Sequence, residues 1–325
     1  VVETPPAAYN PATAYAAGDQ VSVLTGTQAA LFESLAAGNT GNNPAGSPDW
    51  WRPIGTAYAL HGAGPYAKWD IVTDAASHRL YQSLADANAA GLSDTTKWLD
   101  IGPSNRWAMF DELIDTPTTR PGEIRVEIAV TGRMDTLVLL ALDASAVNVR
   151  MLDGETEIFN ADFSLTSYAE ITDYWEHYYL PIRRKRVLHV PGLPIVSNPL
   201  LIVTITGSGH VACGHMAFGL LRAIGGTRMG AQLGRMSFSR FEEDDFGRRF
   251  IVRRGRRKTG RFLVWVPRGL VDSVLNDLDD FDARPVIVIG SEIYGSSVFF
   301  GFLKEGLVDI DHAHESLLRI DAEDY

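Results

Sequence analysis

One cysteine, Cys213, in 325 residues excludes a disulfide within the chain. Stability must come from buried apolar area or from neighbouring subunits. Long apolar runs are missing as well. The longest candidate, LVLLALDASAV, is broken by Asp143 and falls short of the ~20 residues a membrane helix needs, so no membrane span is expected. The opening VVETPPAAYNPATAY lacks the basic start and apolar centre of a signal peptide, and delivery is expected by assembly or lysis rather than by encoded export. There is no excess of positive charge: the net charge is −11, which argues against generic binding to nucleic acid or to an acidic membrane surface. Walker-type phosphate loops, a dinucleotide-binding glycine fingerprint, H-E-x-x-H and G-x-S-x-G are all absent, which removes the main motif support for nucleotide, metalloprotease and common hydrolase chemistry. The expectation is a protein without cofactor and without catalysis.

What remains is a foldable chain, 46% hydrophobic and 21% charged, long enough for two or three domains. It carries an internal repeat. YAAGDQVSV, ALFESLAAGN and DWWRPIG align with YAKWDIVTD, RLYQSLADAN and TKWLDIG. Tyr15 falls on Tyr66, Asp19 on Asp70, Val21 on Val72, Phe32 on Tyr81, Asn39 on Asn88, Trp51 on Trp98 and Gly55 on Gly102. The offset shrinks from 51 to 49 to 47, and both deletions fall in Gly/Thr/Asn/Pro-rich stretches where loops accept changes of length.

Each copy reads as short strand, turn, short strand, loop and aromatic strand end, in about 40 residues, near the lower limit for a unit without disulfide or metal. In so small a sheet one indole can be the core, and that role falls to Trp51 and Trp98. Trp50 has no aromatic counterpart, because Lys97 occupies its place; adjacent strand residues face opposite ways, so an inward Trp51 implies an outward Trp50. Trp69 replaces Gly18 and offers a second displaced ring. Tyr15, Tyr66, Phe32 and Tyr81 complete the candidate stacking set, with the alternative that these four and Trp69 fill the two small cores.

The pattern Y-x-x-G-D-x-V, then L-F-x-S-L-x-x-G-N and a closing Trp, resembles small chitin- and cellulose-binding modules, whose exposed aromatics stack on sugar rings. It also resembles the N-terminal repeats of tail-tip and baseplate proteins of long-tailed phages and prophages, in which such modules run into a segment similar to IGPSNRWAMFDE. After Gly102 the texture becomes long β patterning. EIRVEIAV alternates Ile124, Val126, Ile128 and Val130 with polar residues, as in a half-buried strand, while TLVLLAL and LLIVTITG are continuous apolar runs of the kind found inside a sandwich. Further strands are expected at VNVRML, EIFNADF, HYYLPI and HVACGHMAFGLL, giving a jelly-roll-like β-sandwich. The tail-protein resemblance implies a galactose-binding-like fold for it. From Thr227 strands dominate again, interrupted by RGLVDSVLNDLDDF, where Leu270, Val271, Val274, Leu275 and Leu278 recur at helical spacing. The order of these C-terminal segments also resembles that family's ending.

Other clusters are weaker. In GHVACGH, a strand would put Cys213 and His215 on one face and His210 on the other, poor geometry for three ligands on one metal; a buried thiol beside ordinary histidines is preferred. His312 and His314, near Asp309 or Asp311, fit either a metal or acid–base cluster or a solvated strand, the latter preferred. EEDDFG, Glu242 to Gly247, lacks the alternating ligands of a calcium loop and reads as a surface hairpin. The run RRFIVRRGRRKTGR holds eight basic residues between Arg248 and Arg261, whereas the chain from Leu270 onward is acidic. This asymmetry marks either a subunit contact or two solvated faces.

The expected plan is mainly β and multidomain: an extended arm 1–14, repeats 15–55 and 56–104, a β-sandwich 105–226 and a β-rich assembly domain 227–325 with one helix. The resemblance implies a virion structural protein at the phage tail tip. It would assemble with other tail subunits, as a trimer or other cyclic homo-oligomer, and contact bacterial surface polysaccharide. The rival expectations are a polysaccharide- or peptidoglycan-degrading tail enzyme, which needs two facing carboxylates in a cleft, and a purely architectural subunit.

Overall fold

In the computed structural model the chain is mainly β, made of several small sheets. The structure describes residues 1–62, 64–167, 173–179, 183–243, 247–282, 284–291, 294–309 and 315–324. The chain divides into two units. The first contains Val1–Met134, Leu139–Arg186 and Pro194–Met216; the second contains Asp135–Val138, Val187–Leu193 and Ala217–Tyr325.

The repeat folds as two antiparallel meanders. Strands β1 (Gln20–Thr25), β2 (Gln28–Ser34) and β3 (Trp51–Tyr58) form one sheet, and β4 (Ile71–Asp74), β5 (Arg79–Ser83) and β6 (Trp98–Pro103) the other. Both carry the same irregularity: the register slips at Leu31/Phe32 opposite β3 and at Leu80/Tyr81 opposite β6. The aligned Ile-Gly pairs sit at this bulge. Gly55 and Gly102 have φ of +132° and +118°, backbone that disfavours any residue with a side chain.

The expected arm 1–14 is corrected in part, because residues 6–9 belong to the first module. Ser22 N–H donates to the Ala7 carbonyl at 3.0 Å and Tyr9 N–H to the Ser22 carbonyl at 2.9 Å. In the second module Thr73 N–H and His61 N–H make the equivalent bonds with the Ala59 and Thr73 carbonyls, both 2.9 Å. An open sheet edge has backbone donors and acceptors to satisfy, and the preceding chain supplies the partners. In the second module that preceding chain is the end of β3 and the residues after it.

Glu3 ties the N-terminus onward. Its carboxylate accepts from Trp107 Nε1–H at 3.1 Å and Ser104 Oγ–H at 3.1 Å, and lies 2.9 Å from His78 Nδ1. Glu33 on β2 pairs with Arg52 at 2.5 Å and Arg120 at 2.7 Å.

Beyond the modules run β7 (Thr118–Ala129), β8 (Thr136–Leu140), β9 (Ala146–Asp153), β10 (Thr156–Ser164) and a short β11 (Thr166–Ser167). A short helix α1 (Tyr174–Tyr179) precedes β12 (Arg183–Arg184), β13 (Val187–Val190), β14 (Leu200–Cys213) and β15 (His215–Gly219). One sheet has the order β10-β9-β14-β7 and another β13-β8-β15. The alternating pattern of β7, β9 and β14 buries Ile124, Val147, Val149, Met151, Leu201, Val203 and Ile205 on one face. The unbroken apolar run of β8 is buried throughout, from Leu137 to Leu140. Two expectations change. HYYLPI is not a strand where it is described: residues 174–179 are helical, because Asp173 caps them, its Oδ1 accepting from Glu176 N–H at 2.8 Å. HVACGHMAFGLL is not one strand either, since Gly214 separates β14 from β15.

The second unit continues with β16 (Gly226–Thr227), β17 (Gln232–Ser237), β18 (Arg240–Glu243), β19 (Arg249–Val252), β20 (Arg256–Pro267), α2 (Val271–Asp280), β21 (Val286–Ile289), β22 (Val298–Asp309) and β23 (Glu315–Asp324). The sheet order is β16-β20-β23-β22-β21, and β17 also pairs with β20. Its core joins Phe262, Val264, Val266, Phe299, Leu318 and Ile320 to Val271 and Val274 of α2. The helical spacing read from the sequence is realised for Val271, Val274 and Leu278, but Leu270 and Leu275 remain exposed, at 49% and 37%. Leu270 lies in the 3-10 turn that leads into the helix.

Candidate functional site

Each module is built around an aromatic triad. Trp51 and Trp98 are buried, exposing 1% and 2% of their surface, and their Nε1–H groups donate to the carbonyls of Asn42 at 2.9 Å and Ala90 at 3.0 Å. Tyr15 meets Trp51 edge-on at 5.2 Å, and Tyr66 meets Trp98 at 5.3 Å. A third ring closes each set: Tyr9 stacks on Tyr15 at 5.9 Å, and His61 on Tyr66 at 5.7 Å. The sequence reading missed this pair. Its only signal is a ring a few residues ahead of each aligned tyrosine.

The triads decide the fate of several candidate stacking residues. Tyr15 is a core residue, with its ring enclosed between Tyr9 and Trp51, and is withdrawn as a surface platform. Phe32 packs against the same cluster and is half-buried. Tyr66 and Tyr81 are likewise half-buried. Tyr66 also accepts a hydrogen bond from Gly62 N–H at 2.6 Å, which fixes its hydroxyl.

Trp50 and Trp69 are the exposed rings, at 36% and 60%. The outward aim of Trp50 has a different cause from strand alternation. It closes the turn before β3, its N–H and that of Trp51 both donating to the Ser47 carbonyl at 3.0 Å. Trp69 has φ of +76°, where its counterpart Gly18 has +90°. The position demands left-handed backbone in both modules, and the second module holds a bulky side chain there against a strain of about 1–2 kcal/mol.

The two tryptophans occupy different alignment positions yet the same end of each module. Gly18 N–H donates to the Ser34 carbonyl and Leu35 N–H to the Trp50 carbonyl; in the second module Trp69 N–H donates to the Ser83 carbonyl and Leu84 N–H to the Lys97 carbonyl. Both rings are therefore carried beside the last residues of the middle strand. Buried asparagines hold this end together. Asn39 Nδ2–H donates to Ser34 Oγ at 3.1 Å and to the Trp50 carbonyl at 3.3 Å; Asn88 Nδ2–H donates to Ser83 Oγ and the Lys97 carbonyl, both at 3.1 Å. Lys68 Nζ lies over the Trp69 ring at 4.7 Å from its centre, placing a hydrogen-bond donor beside an apolar plane.

A second exposed aromatic group escaped the sequence reading. In α1, Tyr174, Trp175, Tyr178 and Tyr179 are 73%, 67%, 65% and 74% exposed. Trp175 and Tyr179 stack at 5.3 Å with an 18° interplanar angle. The signal was available in the sequence as D-Y-W-E, a helix cap with Asp first and Glu three residues later.

Among the described residues the metal candidates do not assemble. Cys213 and His215 are both buried but lie on either side of Gly214, and the Cys213 thiol contacts the His215 carbonyl at 3.7 Å. Burial pushes the thiol pKa up to about 12 and depresses that of His215, so both are neutral near pH 7. Among the described residues no group of three or more His, Cys, Asp and Glu could hold a metal ion. Asp309 pairs with Arg319 at 2.9 Å; Asp311, His312 and His314 lie outside the described residues, as do residues 244–246 of EEDDFG. A cavity of about 500 Å³ in the second unit is lined largely by apolar side chains, among them Val138, Phe218, Phe262 and Val288, with no Asp or Glu. It is not a two-carboxylate hydrolase cleft.

No family model matches the chain, and no curated protein matches its sequence.

Proposed function

We propose that the chain is a structural component of a phage tail tip that contacts host surface glycans through its two N-terminal modules. The observation that carries the glycan part is the pair of exposed rings, Trp50 and Trp69, held at the same end of two modules whose buried triads already supply a core. Neither ring belongs to the buried aromatic triads. Trp69 is moreover retained at a backbone position that favours glycine, which points to a role for the ring itself.

Flat apolar rings match the C–H faces of pyranose sugars, and Lys68 Nζ, over the Trp69 ring at 4.7 Å from its centre, supplies a hydrogen-bond donor at the same place. Stacked aromatic pairs contribute about 0.5–1.5 kcal/mol beyond their buried area, and a ring on a sugar face is weak on the same scale. Two tandem modules, multiplied by assembly around a tail axis, convert weak sites into useful avidity without any new contact. The aromatic helix α1 is a third stacking surface in this reading. The tail-tip part is supported by the resemblances of the repeats, of the IGPSNRWAMFDE linker and of the C-terminal segment order, together with the mainly β architecture.

The test is retention of the purified chain on immobilised bacterial surface polysaccharides and peptidoglycan. Wild type is expected to be retained, Trp50→Ala and Trp69→Ala each to weaken retention about 3- to 10-fold, and the double substitution to abolish it. Absence of wild-type retention on every polymer would leave a purely architectural subunit. Shortening of the polymer during incubation would instead establish a degrading enzyme.

A further inference from the structure

We infer that the hairpin arm formed by β17, β18, β19 and the start of β20 docks onto the acidic face of helix α2 in a second copy of this chain. The inference deepens the assembly part of the reading above and is independent of its glycan part.

The arm is a two-stranded ribbon. Gln232–Ser237 pairs with Arg256–Arg261, and Arg240–Glu243 with Arg249–Val252. Every residue of β17, β18 and β19 is exposed. Phe241 and Ile251 are cross-strand partners on one face, exposed at 71% and 58%; Phe250, paired with Glu242, lies on the other at 55%. An isolated two-stranded hairpin is marginal in water. This one shows apolar side chains to water on both faces, the mark of a surface built to be covered.

Charge identifies the cover. Of 29 basic and 40 acidic residues in the chain, ten basic and four acidic fall between Gln232 and Arg261, so everything outside the arm is strongly acidic. The base of the arm finds acids within its own sheet: Arg257 pairs with Glu323 at 3.2 Å and Arg261 with Asp321 at 2.8 Å. Between and beyond these two, Arg253, Arg254, Arg256 and Lys258 make no ion pair among the described residues. The complementary set lies on α2. Asp272, Leu275 and Asp279 follow at i, i+3 and i+7 and form one stripe. Both aspartates are exposed, Leu275 is exposed at 37%, and neither aspartate has a cationic partner among the described residues. An apolar and basic ribbon faces an apolar and acidic stripe, and no ion pair among the described residues joins them within the chain. Contact between different patches on successive copies is heterologous, the type that generates a ring when the rotation between copies closes and a filament when it does not.

The experiment measures the mass of the purified full chain in solution, without glycan, by sedimentation across a concentration series to ~100 μM at low and high salt. Wild type is expected to self-associate, with a dissociation constant rising about tenfold or more as salt screens the contact. R253E/R254E and D272K/D279K, all on exposed positions, are each expected to weaken association at least tenfold while leaving the circular dichroism unchanged. Mixing the two variants is expected to restore association, because each then offers the other a complementary surface. A wild-type chain that stays monomeric, reversal variants that associate like wild type, or a mixture that fails to recover would each overturn the inference. Failure here leaves the glycan reading standing, and loss of glycan retention leaves this one standing.

Discussion

Trp69 is the residue at which stability and the proposed activity pull apart. Replacing it with glycine relieves a left-handed backbone strain and removes a ring that is 60% exposed, so little packing is lost. Trp69→Gly is expected to raise unfolding stability by about 1 kcal/mol while reducing polysaccharide retention. Denaturant unfolding and retention measured on the same sample check both signs, and a less stable variant would contradict the strain argument. Trp98 behaves oppositely. It is the buried ring of its triad, and Trp98→Ala is expected to cost about 3–5 kcal/mol, read as early melting of the second module. Cys213 gives a pH prediction. Its unfolded thiol ionises near 9.0 and its folded thiol near 12. Between these values only the unfolded state loses the proton, so the contribution of Cys213 to stability is fully present below about 9 and falls as pH rises through this window. Cys213→Ala should flatten the alkaline decline in a pH series of unfolding midpoints. Native protein at pH 8 should resist a thiol reagent that labels the unfolded chain at once.

Among the elements, the equivalence of the two modules rests on polar staples as much as on rings. Asn39 and Asn88 are buried, and each bridges the middle strand to the loop that carries residue 50 or 97. Asn88→Ala removes three hydrogen bonds and leaves the Lys97 carbonyl without that donor, a loss of about 1–3 kcal/mol. Thermal melts of single-module substitutions would show whether the two modules unfold separately. The short helix α1 illustrates a different balance. Six residues cannot form a stable helix from propensity alone, and the Asp173 cap contributes only about 1 kcal/mol. Its stacked Trp175 and Tyr179 supply side-chain contact that the backbone lacks.

At the scale of the whole molecule, charge and the N-terminal clasp dominate. Among the described residues, the acidic C-terminal segment forms ion pairs with the basic run near the base of the hairpin arm, at Glu323 and Asp321. The question posed by the charge asymmetry is thus answered in part: Arg257 and Arg261 are paired in place with Glu323 and Asp321, and Arg249 with Glu243 of the same arm. Glu3 binds Trp107, Ser104 and His78 more than 70 positions away in sequence. Glu3→Ala leaves the Trp107 indole N–H without its acceptor, and a decrease in global unfolding stability of about 1–3 kcal/mol is expected.

The sequence alone determined the mainly β class, the two-copy repeat, the buried Trp51 and Trp98, and the core turns of α2, because each of these follows from local periodicity or from side chains that recur in register. Residues whose role depends on what approaches from elsewhere in the chain were decided only in three dimensions. Tyr9 and His61, both half-buried, pack on Tyr15 and Tyr66 because the preceding segment closes a sheet edge, and Tyr15 turns inward between Tyr9 and Trp51. The common placement of Trp50 and Trp69 is invisible to alignment, since they occupy different positions and meet the same strand end only through hydrogen bonds of the folded module. Burial is a property of the assembled neighbourhood, and a one-dimensional pattern records only the part of that neighbourhood lying a few residues away.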